Sequence, residues 1–336
     1  MLRLPQFGVA TPTTIAAALA ILEGNDKAAV LAGGTDLVPN MKHRIATPDL
    51  VLSLEGVEEM RGIRVDGDTL VIGAMTRLDE IAHDERVRSW APVLAQAAGI
   101  VASPQIRRMG TLGGNVMLDT RCRYINQTHF WRKSLGFCLK KDGTLCFVVA
   151  GGKKCVAAAS NDSAPALMTL GADLVFRSAK SERIAKIDQV FGGDGIYNKK
   201  VAPGELLIEV RIPRQSSGHR GAYGKLRERG SFDFPQLGVA VRLDTRDKVV
   251  ADADVVLVAL QARPLRIKGA ADVLRGTTIG ESSFETAART IADRAHAHCH
   301  PMPNIPGDAD YRHAMIPVYV RRTLLAAAGL GVAPRT

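Results

Sequence analysis

The spacing of apolar and polar positions changes several times along the chain, and each change marks an element. In "TPTTIAAALAILEGN" an alanine- and leucine-rich face follows two threonines and stops at Gly24-Asn25. That pattern predicts a helix capped by Thr13 or Thr14, whose hydroxyl can take a free N–H of the first turn. "AAVLAGGTDLV" is a short apolar run that breaks into Gly33-Gly34, and "DLVLSL" and "TLVIGAMT" are runs of the same kind. All three read as strands, while "ERVRSWAPVLAQAAGIVA" reads as a second helix. "APALMTLGADLVFRS" predicts a passage from helix to strand. The Ser-, Gly- and charge-rich "RQSSGHR", residues 214–220, predicts a link between domains. Beyond it, "LGVAVRLDT" and "DADVVLVALQARPLRI" predict antiparallel strands, and "SSFETAARTIADRAHAH" and "AMIPVYVRRTLLAAAG" predict helices. The class is α+β in two domains, 1–215 and 216–330, without repeats or low-complexity tracts.

Composition narrows the picture little. With 336 residues, 46% hydrophobic and 23% charged, the chain can build cores that need no disulfides. No stretch approaches 18 uncharged apolar residues, which excludes a membrane helix. "MLRLPQFGVATPTT" has no apolar run of secretory-signal length, so a cytoplasmic protein with reduced thiols is expected. The net charge of +10 could mark a nucleic-acid binder. Here the basic residues are scattered and aromatics make up only 5%, so no stacking platform accompanies the charge. Nucleic acid is not expected as a partner; a solvated basic surface, an acidic partner subunit or anionic cofactors each account for the charge.

Two glycine loops carry the candidate chemistry. "AGGTD" (32–36) follows an apolar strand and "TLGGN" (111–115) follows "IRRMG". Paired glycines let backbone approach a ligand where a Cβ would clash, and their amides can then face an anion such as a pyrophosphate. Neither loop matches the dinucleotide fingerprint or the P-loop. In order and spacing, however, "AGGTDLVPNMK" and "ASPQIRRMGTLGGN" resemble the two phosphate-binding segments of the FAD-binding subunits in the xanthine oxidase family of molybdenum hydroxylases. The resemblance continues through "NDSAPALMTLGADL", "GELLIEVRIP", "YGKLRERGSFDFPQLGVAV" and "DADYRHAMIPVYVRRTL" and spans nearly the whole chain.

This resemblance implies an FAD-binding domain of two subdomains, followed by a smaller domain with a three-stranded antiparallel sheet and helices. Ala29, Val30, Leu31, Ala32, Gly33, Gly34, Thr35 and Asp36 would wrap the pyrophosphate with their amides. Thr111, Gly114 and Asn115 would form the second wall. Asp162 matches an acidic residue near the flavin, although it could also simply cap the helix that follows. Lys225 matches a lysine at the isoalloxazine edge, where a cation would stabilise reduced, anionic flavin. Val101 and Asp119 are further matches.

Four of the five cysteines, Cys122, Cys138, Cys146 and Cys155, fall within 34 consecutive positions. Their spacings of 15, 7 and 8 intervening residues fit neither close-paired zinc patterns nor ferredoxin patterns. Spacing alone leaves zinc and iron–sulfur open, and a disulfide is disfavoured in a reducing compartment. Relative to most flavin subunits of the family, the path from Asn115 to Asp162 carries an insert, roughly residues 118–158. It resembles that of the 4-hydroxybenzoyl-CoA reductase branch, which implies a [4Fe–4S] cluster on the four cysteines. Arg121, Arg123, Lys140, Lys141, Lys153 and Lys154 would then offset its charge.

The same resemblance implies an oxidoreductase subunit in a complex with a molybdenum-cofactor large subunit and a [2Fe–2S] small subunit, as a dimer of heterotrimers. Electrons from reduced ferredoxin would serve the reductive dehydroxylation of 4-hydroxybenzoyl-CoA to benzoyl-CoA. Two alternatives stand beside it: the flavin subunit of another molybdenum hydroxylase with a different substrate, and a zinc-stapled binding protein without redox activity. "HAHCH" (296–300) reads as a solvated histidine run at a helix end.

Overall fold

The computed structural model describes residues 2–335. Its first layer is a parallel three-stranded sheet in the order Gly8–Ala10, Leu50–Ser53, Ala28–Leu31. The helix Ile15–Glu23 lies between the first and last of these in sequence and buries Ile15, Ala18 and Leu19. Thr14 caps it by accepting the Ala17 N–H at 3.2 Å, and the chain leaves at Gly24. A second sheet is antiparallel, in the order Ile63–Asp66, Thr69–Gly73, Leu206–Pro213, Asp173–Arg177, Glu182–Lys186. One apolar core, from Leu19 and Leu52 through Leu70, Leu94 and Val210, runs through both subdomains.

The helix expected across 85–102 is two helices, Glu85–Trp90 and Pro92–Gly99. Pro92 disfavours helical backbone in the residue before it, and Ala91 takes φ −140°, ψ 61°. The break is consequential, because it aims Pro92–Gly99 at the next domain. Gln96 there accepts the Tyr223 N–H at 3.0 Å and donates to the Gly221 carbonyl at 3.3 Å.

After Pro213 the chain enters the C-terminal sheet, in the order Leu265–Arg266, Val249–Val258, Leu237–Arg246, His219–Leu226. Three strands are long and antiparallel, and the fourth contributes two residues just after Pro264. The helices Ser282–His298 and Ala309–Ala327 cover this sheet and share its core through Phe284, Ile291, Ile316 and Leu324. No helix among the described residues is long and apolar enough to cross a membrane.

The insert holds little regular structure beyond the helix His129–Ser134. Its neck is closed by Arg121 and Ala158, which exchange two backbone hydrogen bonds of 2.8 Å. It is therefore an excursion with a defined base beside the glycine loops.

Candidate flavin site and cysteine insert

The two glycine loops, 80 residues apart in sequence, touch in the fold. A Cβ on Gly33 would come within 1.8 Å of the Met109 carbonyl oxygen, and one on Gly114 within 3.7 Å of the Ala32 Cβ. Gly33 is thus required for loop-on-loop packing, whereas Gly34 is required for a left-handed turn at φ +70°. Ala29, Val30 and Leu31 belong to the strand Ala28–Leu31, opposite Val51, Leu52 and Ser53. Among the described residues no hydrogen bond takes up the N–H of Gly33, Gly34 or Thr35. Three amides without a partner in one turn are donors of the kind that bind anions. The second loop differs, because its amides are already used. Leu112 donates to the Thr76 carbonyl, Gly113 to the Ala74 carbonyl, Asn115 to the Thr111 carbonyl and Gly114 to Thr111 Oγ1. It offers a rigid wall with Gly114 exposed on it.

Asn115 joins this wall to the next element: its Oδ1 accepts the Ser163 N–H at 3.0 Å. Asp162, one residue earlier, makes no side-chain cap to the helix Ser163–Thr169. Its Oδ1 accepts from the Tyr223 hydroxyl at 2.8 Å and its Oδ2 from Lys225 Nζ at 2.9 Å. Lys225 Nζ also reaches the Ile100 carbonyl at 3.4 Å, which Arg227 Nη1 shares at 3.1 Å. Burial pulls the Lys225 ammonium below the usual lysine range, against the attraction of Asp162. Burial and the Asp162 carboxylate together push the Tyr223 hydroxyl well above its ordinary value. With 0% exposure, Lys225 presents no surface for a flavin to touch; its positive charge is sealed against Asp162, behind the loops.

Val101 lies beside this pair, its carbonyl accepting from Arg107 Nη1 at 2.9 Å. The Ala102 carbonyl accepts the Phe232 N–H at 3.0 Å, and Phe232 and Phe234 of the C-terminal domain are both exposed. Asp36 accepts from Arg121 Nη1 at 2.8 Å, and burial, the largest influence on it, raises its carboxyl above the usual range. Arg121 also stacks 4.0 Å from the Phe234 ring centre. Asp119 accepts from Lys140 of the insert at 2.9 Å.

All five cysteines are free thiols. Cys122, Cys155 and Cys138 pack into one small cluster with Ile125 and Ala157. Cys155, Cys138 and Cys146 all lie within electrostatic reach of Cys122. Backbone N–H groups point at the sulfurs: Val149 at Cys146, 3.4 Å; Ala157 at Cys155, 3.5 Å; and Tyr124 at Cys122. Gly195 leaves room for one of them, since a Cβ there would stand 2.8 Å from Cys155 Sγ. Burial lifts the Cys122 thiol to about 11 and also raises that of Cys155, so these two sulfurs become thiolates at neutral pH only with a positive centre beside them. Among the described residues no three His, Cys, Asp or Glu side chains are placed to hold a metal ion. The thiols therefore gather without closing on one atom. Lys140, which donates to Thr120 and the Gly195 carbonyl, lies within electrostatic reach of Cys155, and Lys199, lowered by burial to about 7, donates to the Leu118 carbonyl at the base of the insert.

The family model described as "FAD binding domain in molybdopterin dehydrogenase" matches residues 5–215. The chain belongs to the FAD-binding medium subunits of the molybdenum hydroxylases. A second model, "CO dehydrogenase flavoprotein C-terminal domain", matches residues 222–327. This flavin subunit is 30% identical to the carbon monoxide dehydrogenase medium chain of Hydrogenophaga pseudoflava, over 96% of this chain and 97% of the relative. It is 29% identical to the caffeine dehydrogenase subunit beta of Pseudomonas sp. strain CBB1, over 82% and 80% respectively. Among solved structures, a carbon monoxide dehydrogenase from Hydrogenophaga pseudoflava lacking the Mo-pyranopterin moiety superposes with a TM-score of 0.79. That match has 28% identity and covers 98% of this chain and 100% of that one.

Several residues of the flavin subunit's site were silent in sequence. Tyr223 and Arg227 lie in the segment "YGKLRERG" without a role of their own in the sequence reading, and pairing with Asp162 and the Ile100 carbonyl gives them one. Arg121, expected to offset a cluster's charge, instead pairs with Asp36 and stacks on Phe234.

Proposed function

We propose that the chain is an electron-transfer subunit with noncovalent FAD on the two glycine loops and a [4Fe–4S] cluster on Cys122, Cys138, Cys146 and Cys155. The observation that carries the flavin half is the run of unpartnered amides at Gly33, Gly34 and Thr35 beside the satisfied loop of Thr111, Gly114 and Asn115. The cluster half is supported by four free thiols with backbone N–H groups aimed at three of them. Thiolates around a cube of four irons stand farther apart than thiolates around one ion, which suits a set that no single ion closes.

When bound, FAD supplies paired and single electrons and the cluster supplies single electrons. The chain's own residues do the holding. The amides of Ala32 to Asp36 take the pyrophosphate, and Ala29, Val30 and Leu31 fix the loop to the sheet. Asp162 and Lys225 brace the wall from behind, and Val101 and Asp119 border the site at its two ends.

The insert's resemblance to the 4-hydroxybenzoyl-CoA reductase branch supports reductive dehydroxylation of that thioester by the whole complex. Its partners would be a molybdenum-cofactor chain and a [2Fe–2S] chain in a dimer of heterotrimers, with reduced ferredoxin as donor, in the cytoplasm. A second reading, the flavin subunit of a molybdenum hydroxylase with another substrate, is favoured by relatives named for carbon monoxide and caffeine. Coexpression with its neighbouring partner chains, followed by anaerobic assay with 4-hydroxybenzoyl-CoA and a reduced dye, separates the two. Benzoyl-CoA formation supports the first reading, and an active complex that leaves the thioester untouched selects the second. Metal analysis of the anaerobic protein tests the cluster: about four irons per chain are expected, and stoichiometric zinc without iron selects a structural staple instead.

A further inference from the structure

Arg132, in the helix His129–Ser134, is with Arg312 one of the two largest fully buried side chains among the described residues, at 1% exposure. Its Nη2 donates to the carbonyls of His43 and Arg44, both at 3.0 Å. Its Nε and Nη1 are buried with no hydrogen-bond partner. The Asp142 carboxylate stands 3.8 Å from Nη1, too far for a hydrogen bond, and is itself half exposed. A guanidinium cannot shed its proton in a protein, so donors left idle in the interior carry a desolvation cost with nothing to offset it. The arrangement lacks an anion hydrogen-bonded to Nε or Nη1. After the helix the chain turns back on itself, Phe137 donating to the Arg132 carbonyl at 2.8 Å, and delivers Cys138 next in sequence. Burial weighs most on the guanidinium, and the groups within reach to offset it are Asp142 and then Cys138.

We propose that Arg132 is the inner cation of the cluster site, its idle Nε and Nη1 donors left for the Cys138 sulfur and the negative charge of the four-iron centre. This rests on the cluster reading above. Arg132 is a positioning residue that sets the cluster's potential without ligating it. A positive charge at short range stabilises the cluster that has gained an electron, so Arg132 raises its reduction potential. The same side chain ties the carbonyls at the end of the helix Leu37–Lys42, which begins directly after Asp36 of the first glycine loop. One buried group thus bridges the cluster region and the flavin loop.

The test is an EPR-monitored redox titration of the anaerobically purified chain, with iron and FAD measured on the same samples. Arg132→Gln is expected to keep its iron and FAD while the cluster potential falls and the flavin potential holds. Arg132→Lys, which keeps the charge, is expected to restore most of the shift. An Arg132→Gln protein with an unmoved cluster potential overturns the proposal, as does an equal fall in both cofactors, which marks general loosening. Where Arg132→Gln fails to fold or load, Arg132→Lys decides. Normal iron and potential support the charge role, and loss of iron there too assigns Arg132 to the His43 and Arg44 carbonyls alone. Absence of iron from the wild-type chain sinks the cluster reading itself, and this proposal with it.

Discussion

Lys225 Nζ stands 2.9 Å from Asp162 Oδ2, and both side chains are buried. Asp162 precedes the helix Ser163–Thr169 of the first domain, whereas Lys225 lies in the first strand of the C-terminal sheet. The pair therefore joins two domains immediately behind the second glycine loop, with Asn115 tied to Ser163 beside it.

Breaking this pair from one side strands a buried charge. Lys225→Met is expected to destabilise the protein by roughly 3–5 kcal/mol. Adding Asp162→Asn, which removes the orphaned charge and still accepts from the Tyr223 hydroxyl, should recover a large part of that loss. Urea unfolding of the two single variants and the double variant measures the coupling. A double variant whose loss equals the sum of the singles would show that the pair carries no interaction.

The glycines of the two loops separate folding from flavin binding. Gly33→Ala forces a Cβ against the Met109 carbonyl, where it would stand at 1.8 Å, so the loops must part. We expect a drop in thermal stability even in protein stripped of flavin. Gly114 is exposed, and its Cβ would meet Thr111 Oγ1 at a tight but tolerable 3.1 Å. Gly114→Val should fold normally and lose FAD by occupying the wall's open side. Normal FAD content in folded Gly114→Val protein argues against this wall as a flavin contact.

Replacing any one of Cys122, Cys138, Cys146 or Cys155 by Ser should lose or convert the cluster while most FAD stays, because the insert is closed off at the Arg121–Ala158 neck. Cys299 is buried in the C-terminal core, away from the other four, and Cys299→Ser should retain full iron. Iron and flavin content per chain reads both. Loss of iron from Cys299→Ser, or its retention in all four insert variants, contradicts the assignment.

His219, at the first position of the C-terminal sheet, is enclosed, and burial together with Arg242 lowers its pKa to about 4. Its unfolded value is near 6.5, so between pH 6.5 and 4 the unfolded chain binds more protons than the folded one. Stability is then unaffected above that window and falls as pH drops through it, by about 2 kcal/mol between pH 7 and pH 5 from this residue alone. His219→Leu should shrink the difference between urea midpoints at the two pH values. An undiminished difference would show that His219 takes up its proton without penalty.

Local chemistry was legible in the sequence wherever a few neighbouring residues decide the outcome. Thr14 caps the first helix, the helix 282–298 starts and stops where its apolar period does, and the two glycine pairs announce tight loops. The crowding of four cysteines into one insert is likewise a one-dimensional fact. Proline's effect at Ala91 was written there too, but it competed with a strong helical period on both sides. What the tertiary structure alone decided are the partners that lie far apart along the chain. Gly33 must be glycine because Met109, 76 residues on, packs against it, not because a ligand demands it. Asp162 is withdrawn from capping its helix because Lys225 and Tyr223, about 60 positions away, need its charge in the interior. Arg132 looks like one more basic surface residue until the fold seals it with two donors idle. Backbone propensities act over a turn or two and can be read in order, whereas burial, which sets the energy of every charge, exists only once distant segments have closed over it.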